Sequence, residues 1–187
     1  VRRRGGDDQP GPPGRPMSTA VLSLGSNLGD RAEHLRGALR LLAPWTTAVS
    51  PVFQTPPWGP VAQEDYLNII VLAADDADGA DDPWPWLERA RACERAAGRV
   101  RDVRWGPRTL DVDVVTVDGA RGAIRSADPE LTLPHPRAHE RAFVLVPWLA
   151  LDPGAELPGH GAVADLVAGL DPAERDGVRR RADVTLC

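Results

Sequence analysis

Two aspartates and a group of arginines form the part of the sequence best suited to chemistry. Asp111 and Asp113 alternate with Leu110, Val112 and Val114, which is the period of a β-strand, so both carboxylates are expected on one face. Neighbouring carboxylates repel each other unless a cation lies between them, and oxygen ligands favour Mg²⁺. Guanidinium groups, which suit phosphate oxygens, come just before the strand, at Arg99, Arg101, Arg104 and Arg108. The combination indicates phosphoryl or nucleotidyl transfer.

Each half of this pattern has a plainer interpretation when taken alone. An Asp-x-Asp strand is usually a solvated sheet edge, and an arginine-rich loop is usually surface. Here the two adjoin across the rigid turn Gly106-Pro107, which favours the functional interpretation.

Two further segments are compatible with ligand binding. Gly25-Ser26-Asn27-Leu28-Gly29 lies between a predicted strand and a predicted helix, where an anion could bind, but it lacks the known phosphate-loop fingerprints and is better explained as a turn with a cap. Tyr66 and Asn68 alternate onto one strand face. They could stack on and hydrogen-bond a flat heterocycle, or equally cap the core and satisfy a neighbouring backbone group.

A histidine between two prolines is a weaker candidate. His135 could face a phosphate or could be structural, and the sequence leaves both open. Its spacing to His139 matches a zinc pair on a helix, but Pro136 disfavours a regular helix there, so we reject zinc.

Composition limits the classes of protein that fit. The chain has 187 residues, 42% of them hydrophobic, a net charge of −5 and two cysteines, as expected for a single cytoplasmic domain without a disulfide framework. We expect no nucleic-acid partner, no membrane span and a monomer. The absence of lysine excludes a Walker lysine and a Schiff-base lysine. Residues 1–16 have a disordered composition and are expected to be a tail or an upstream over-read before Met17, with the domain at 17–187.

Hydrophobic periodicity predicts the order of elements. Strands are predicted at 20–24, 45–54 and 66–73 and from Leu110 to Val117, with a turn at Asp118-Gly119. Helices are predicted from Asp30, which has capping-box spacing to Glu33, and over 85–97 and 141–151. This order predicts an α+β fold with a ferredoxin-like βαββαβ core, a mainly antiparallel sheet and packed helices.

In this order, the motifs resemble the 6-hydroxymethyl-7,8-dihydropterin pyrophosphokinase family of folate biosynthesis. The most specific motif is Arg104-Trp105-Gly106-Pro107-Arg108-Thr109-Leu110-Asp111-Val112-Asp113. Further matches are the Gly25 to Gly29 segment, Thr55-Pro56-Pro57-Trp58-Gly59-Pro60, Asp65-Tyr66-Leu67-Asn68 and Leu133-Pro134-His135-Pro136-Arg137. The resemblance covers roughly residues 19–150 and implies an ATP diphosphotransferase acting on small-molecule substrates.

The resemblance also implies a role for each matching residue. Asp111 and Asp113 would hold two Mg²⁺ ions, with ATP as co-substrate, while Arg99 and Arg108 would stabilise the triphosphate during transfer. The pterin would lie between Tyr66 and Phe143, and the implied pterin-binding residues are Thr55, Pro56, Trp58, Tyr66, Asn68 and Phe143. The implied ATP-binding residues are Glu94, Arg99, Arg101, Trp105, Arg108, Thr132, His135 and Arg141.

Two features depart from the family pattern, and two other functions compete with it. The N-terminal extension has no counterpart, and Glu130 replaces a basic residue that some relatives carry near the nucleotide. A different Mg²⁺-dependent transferase on the same scaffold would share the aspartates but would not need Tyr66, Asn68 and Phe143. A non-catalytic nucleotide- or pterin-binding module would bind ATP without turnover.

Overall fold

A single antiparallel sheet carries the structure. The structure, a computed structural model, describes residues 18–57, 63–76, 81–98 and 108–186. Its strands are β1 Ser18–Ser26, β2 Thr46–Val49, β3 Phe53–Thr55, β4 Tyr66–Asp75, β5 Asp111–Gly119, β6 Gly122–Ala123, β7 Ser126–Asp128, β8 Leu131–Leu133, β9 Glu156–Leu157, β10 Gly161–Ala162 and β11 Arg179–Arg180. Its α-helices are α1 Arg31–Leu42, α2 Trp84–Ala96, α3 Ala142–Leu151, α4 Val163–Gly169 and α5 Pro172–Gly177.

The strand order confirms the predicted fold class. The main sheet runs β11-β3-β4-β1-β5-β6, with β2 also paired to β4, and every pairing is antiparallel. If β2 and β3 are taken together as one strand, the order β2/β3-β4-β1-β5 with crossover helices α1 and α2 is the ferredoxin-like arrangement. Two small hairpins, β7–β8 and β9–β10, lie outside this sheet.

The local signals for the two crossover helices are realised as predicted. Asp30 caps α1, because its carboxylate accepts the backbone N–H of Glu33 at 3.0 Å. Pro85 lies in the first turn of α2, where its missing N–H costs nothing, and Gly98 follows the helix with φ +64°.

Two predictions of strand boundaries are wrong. The segment 45–54 is two strands, β2 and β3, instead of one. Pro51 lies between them and cannot donate to a ladder, while the Ser50 side chain accepts the Ile70 N–H in place of a backbone carbonyl. The turn after β5 comes later than Asp118-Gly119, since both residues still pair, with Ala123 and Gly122.

The sheet is covered on both faces. One face packs against α1 and α2 around a core that includes Leu22, Leu24, Ile69, Val112 and Val114. The other face, here called the α3 face, packs against α3 and α4 through a second core that includes Ile70, Val115, Val144, Leu145 and Trp148. In the described part of the chain no helix is both long enough and apolar enough to cross a membrane.

Candidate active site

A pocket opens on the α3 face at the end of the sheet where β1 ends. Its empty volume is about 610 Å³, open solvent included. The described residues that line it are Ser23, Gly25, Thr55, Pro56, Gln63, Tyr66, Asn68, Arg108, Asp111, Asp113, Arg141 and Phe143. Strands β1, β4 and β5 therefore form one wall, and the start of α3 forms another.

Strand register brings the polar side chains of this wall to one level. Gly25 of β1 is paired with Asn68 of β4 on one side and with Asp111 of β5 on the other. Val112 and Val114 are buried against α1 and α2, so Asp111 and Asp113 point to the α3 face. The prediction that both carboxylates share one strand face is confirmed.

Each aspartate is matched by an arginine. The Arg108 guanidinium donates to Asp111, and Arg141 Nη1 donates to Asp113 Oδ2 at 2.9 Å. His135 Nε2 lies 3.8 Å from the same Asp113 oxygen and 3.4 Å from Arg141 Nη1. These residues come from two segments, 108–113 and 135–141, and form one cluster of alternating charge.

The electrostatics of Asp111 and Asp113, here called the acidic pair, favour a bound cation. Burial raises the pKa of Asp113, and the negative charge of Asp111 raises that pKa further, against the opposing effect of His135 and Arg141. The Asp113 side chain nevertheless keeps 33% of its surface exposed toward the pocket. Two carboxylates that share one opening are the donor set that a divalent, oxygen-preferring cation fits.

Burial also affects the protonation of His135. It lowers the pKa of the imidazole, so the neutral ring is favoured, and the attraction of Asp113 only partly opposes this. The ring is held by its own loop, where Nδ1 accepts the Arg137 N–H at 3.2 Å and the backbone N–H of His135 donates to the Val115 carbonyl at 2.8 Å. Nε2 is the nitrogen that faces the acidic pair.

The other end of the pocket carries aromatic rings and an amide. Asn68 is buried, and its Nδ2 donates to Thr55 Oγ1 at 2.7 Å, which leaves Oδ1 turned toward Gly25. Tyr66 and Phe143 line the same pocket. Tyr66 and Asn68, which the sequence left open as either heterocycle-binding or structural residues, therefore share one pocket with the acidic pair.

Three residues that were predicted to contact the nucleotide do not line the pocket. Of the described residues, Glu94, Thr132 and His135 are not part of the pocket lining. Glu94 is buried, and its carboxylate accepts the backbone N–H of Val112, between the two aspartates. Thr132 donates to the Asp128 carbonyl within the β7–β8 hairpin. Their contact with ATP stays a prediction.

The sequence analysis missed two residues that line the pocket, and four of its predicted site residues lie outside the described part of the chain. Ser23 and Gln63 line the pocket without having been singled out. Ser23 shares the two-residue period of Gly25, which could have identified it, whereas Gln63 lies outside any regular element. Glu130, the departure from the family pattern, pairs with Arg91 at 2.7 Å. Four predicted site residues, Trp58, Arg99, Arg101 and Trp105, lie outside the described residues.

Comparisons with known proteins identify the family of the chain. A model of the family 7,8-dihydro-6-hydroxymethylpterin-pyrophosphokinase (HPPK) matches residues 21–153. Two similar curated proteins are named 2-amino-4-hydroxy-6-hydroxymethyldihydropteridine pyrophosphokinase. The one from Mycobacterium leprae is 51% identical over 172 residues, covering 87% of this chain and 88% of the relative. The one from Bacillus subtilis is 40% identical over 150 residues, covering 78% and 85%.

Solved structures support the fold. A wild-type HPPK-DHPS structure from Plasmodium falciparum superposes with a TM-score of 0.57 at 13% identity, covering 80% of this chain and 44% of that one. The present chain thus corresponds to less than half of that longer protein. Since the family model spans most of the chain and the curated relatives match along most of their length, this protein belongs to the 7,8-dihydro-6-hydroxymethylpterin-pyrophosphokinase family.

Proposed function

We propose that this protein catalyses the Mg²⁺-dependent transfer of pyrophosphate from ATP to 6-hydroxymethyl-7,8-dihydropterin in folate biosynthesis. The products are AMP and the pterin diphosphate. The observation that carries the proposal is one pocket that joins an acidic pair with two arginines to a buried amide flanked by aromatic rings. The names of the curated relatives support the same reaction.

The amide end of the pocket suits the pterin. Tyr66 and Phe143 line the pocket and are the candidates for stacking on the pterin, with the Arg141 guanidinium over the Phe143 ring, 5.4 Å from its centroid. Asn68 offers its carbonyl oxygen, while its Nδ2 is already bonded to Thr55. Pro56 and Trp58 would complete this half of the site. Because Asn68 is held before the ligand arrives, little side-chain freedom is lost on binding.

The acidic end suits the triphosphate. Asp111 and Asp113 would hold two Mg²⁺ ions, which supply charge neutralisation and orientation of phosphate oxygens. Arg108 and Arg141 lie on these carboxylates and are positioned to exchange that contact for the phosphates of ATP. Arg99, Arg101 and Trp105 complete the proposed nucleotide site, together with Glu94, Thr132 and His135.

The chemistry requires positioning more than a covalent nucleophile. The pterin hydroxymethyl oxygen forms a bond to the β-phosphorus of ATP, and the bond from that phosphorus to the α–β bridging oxygen breaks to release AMP. The chain's part is to align the two substrates, to exclude water and to stabilise developing charge with arginine. A neutral His135 beside Asp113 leaves the net charge of the acidic pair available for the cations.

Product analysis tests the proposal. The full chain is incubated with ATP, Mg²⁺ and 6-hydroxymethyl-7,8-dihydropterin, and products are resolved by phosphorus NMR. AMP with a pterin diphosphate is the expected result, and Asp113→Asn should remove it. ADP or inorganic phosphate would instead show a different phosphotransferase, and ATP binding without turnover would show a binding module.

A further inference from the structure

The turn between β1 and α1 contains a buried asparagine that the proposed chemistry does not use. Asn27 is 3% exposed and lies in the Gly25 to Gly29 segment, which the sequence predicts to be a turn with a cap. Its side chain reaches two separate parts of the chain that line the pocket. We propose that Asn27 is a positioning residue, which holds Arg108 and Gln63 in one fixed relation across the active site.

Asn27 holds Arg108 through two hydrogen bonds. The backbone N–H of Asn27 donates to the Arg108 carbonyl at 3.1 Å, and the side-chain Oδ1 accepts the Arg108 N–H at 2.8 Å. Both backbone groups of Arg108 are therefore fixed where its guanidinium meets Asp111. The neighbouring Ser26 hydroxyl reinforces this attachment by donating to the Thr109 carbonyl at 2.5 Å.

The other end of the same amide holds the segment that precedes β4. Asn27 Nδ2 donates to Gln63 Oε1 at 2.9 Å and to the Glu64 carbonyl at 3.2 Å. Gln63 is one of the residues that line the pocket. Nearby, Arg31 Nη1 donates to the Asp65 carbonyl at 2.7 Å, so this segment has a second attachment at the start of α1, directly after the turn.

The chemistry of the contacts requires an asparagine. The Arg108 N–H can only donate and the Glu64 carbonyl can only accept, so the orientation of the amide is determined by its partners. Alanine loses both side-chain contacts and keeps only the backbone hydrogen bond to the Arg108 carbonyl. Aspartate keeps an acceptor for Arg108 but has no N–H for Glu64. The two attachments can therefore be separated by substitution.

Hydrogen exchange of the Arg108 backbone N–H tests its attachment to Asn27 without an activity measurement. Because one hydrogen bond has a net effect of about tenfold, the Arg108 N–H in Asn27→Ala should exchange at least about tenfold faster by NMR, while in Asn27→Asp it should stay protected. The control is Ser50→Ala, which removes a buried side chain that accepts the Ile70 N–H at 2.9 Å, away from the pocket. Unchanged Arg108 exchange in Asn27→Ala would overturn the proposal.

Kinetics tests the consequence for the site and rests on the proposed function. We expect Gln63→Ala to raise the pterin KM by about tenfold with kcat unchanged, whereas Asn27→Ala should raise KM similarly and also lower kcat by about tenfold or more. Adding Gln63→Ala to Asn27→Ala should raise KM no further, because the contact is already lost.

The outcomes separate the two proposals. Additive effects on KM, or an Asn27→Ala profile that matches Ser50→Ala, would overturn the role of Asn27. A wild-type chain that forms no pterin diphosphate would overturn the proposed function, and the exchange measurement would then still decide the positioning role. If Asn27→Ala does not fold, Asn27→Asp replaces it. A changed ¹³C chemical shift of the Glu64 carbonyl with a protected Arg108 N–H is expected, because the contact to Glu64 loses its donor while the Arg108 N–H keeps its acceptor. An unchanged Glu64 shift, or faster Arg108 exchange, overturns the proposal.

Discussion

Replacing Gly25 with alanine should weaken pterin binding by displacing Asn68. A Cβ atom at this position would lie 2.6 Å from Asn68 Oδ1 and 3.4 Å from Tyr66 Cδ1. To reach an ordinary contact near 3.4 Å, Oδ1 has to retreat by roughly 0.8 Å. Asn68 is buried and its Nδ2 is bonded to Thr55 at 2.7 Å, so the amide cannot turn away without losing this hydrogen bond.

The size of the effect follows from the lost hydrogen bond. Leaving a buried polar group unsatisfied costs about 1–3 kcal/mol, which corresponds to about a 5- to 160-fold loss of affinity if the bound state requires the original amide position. The dissociation constant of the pterin is measured by isothermal titration calorimetry on the wild type and on Gly25→Ala. The matched control is Gly37→Ala in α1, where the nearest atom is the flexible Arg40 Nη2 at 3.7 Å and binding should not change.

A double-substitution cycle shows whether the effect passes through Asn68. If Gly25→Ala acts by displacing the amide, the variant with both Gly25→Ala and Asn68→Ala should bind pterin no more weakly than Asn68→Ala alone. Affinity of Gly25→Ala within twofold of the wild type would refute the reasoning, as would losses that simply add. In either case the space above Gly25 would not be what keeps Asn68 in place.

Three further predictions address the acidic pair, its arginine and the core. Arg108→Ala should lower kcat on the order of 10²-fold or more with little change in pterin affinity, since Arg108 lies on Asp111 at the phosphate end; a collapse of pterin affinity at normal kcat would contradict this. Asp111→Asn and Asp113→Asn preserve side-chain volume but remove a charged ligand, so each should abolish transfer at any Mg²⁺ concentration, and near-normal turnover of either variant in a Mg²⁺ titration would disprove the metal site. Burial raises the pKa of the Cys93 thiol from 9.0 to about 11. Between these values the unfolded thiol ionises and the folded one does not, so the free energy of unfolding should fall as pH rises, by up to about 1.4 kcal/mol per pH unit. Urea titrations at several pH values should show this fall in the free energy of unfolding in the wild type and not in Cys93→Ala. The same dependence on pH in both proteins would contradict the prediction.

Residue patterns within single strands and helices were sufficient to predict most of the fold. The alternation around Asp111 and Asp113 predicted their common face because a strand has a fixed period of two. The Asp30 cap of α1 was predictable for a similar reason, since its partner is Glu33, three residues away. The division of 45–54 into two strands was missed because hydrophobic spacing alone does not show where the ladder is interrupted at Pro51.

The parts of the site that were missed depend on contacts between distant segments. Asn27 was interpreted as part of a turn, and its partners Gln63 and Arg108 lie 36 and 81 residues further along the chain. Nothing in the local spacing of the Gly25 to Gly29 segment distinguishes a turn that caps a helix from one that joins two walls of a pocket. A single sequence carries the residue types for this contact but not the pairing.

The position of the pocket can nevertheless be traced to a change of residue type along the α3 face of the sheet. On the α3 face, β1, β4 and β5 carry Val21, Ile70 and Val115 where α3 covers them. One step further along, the same face presents residues that do not fill a core: Ser23, Gly25, Asn68, Asp111 and Asp113. Register places these residues side by side, with Ser23 opposite both Ile70 and Asp113 and Gly25 opposite both Asn68 and Asp111. Because the opposite face stays apolar through Leu24, Leu67 and Val112, the strands keep their core while one face becomes a binding surface. The boundary between the core and the binding surface therefore lies within each strand, so the site rests on the same strands that carry the core.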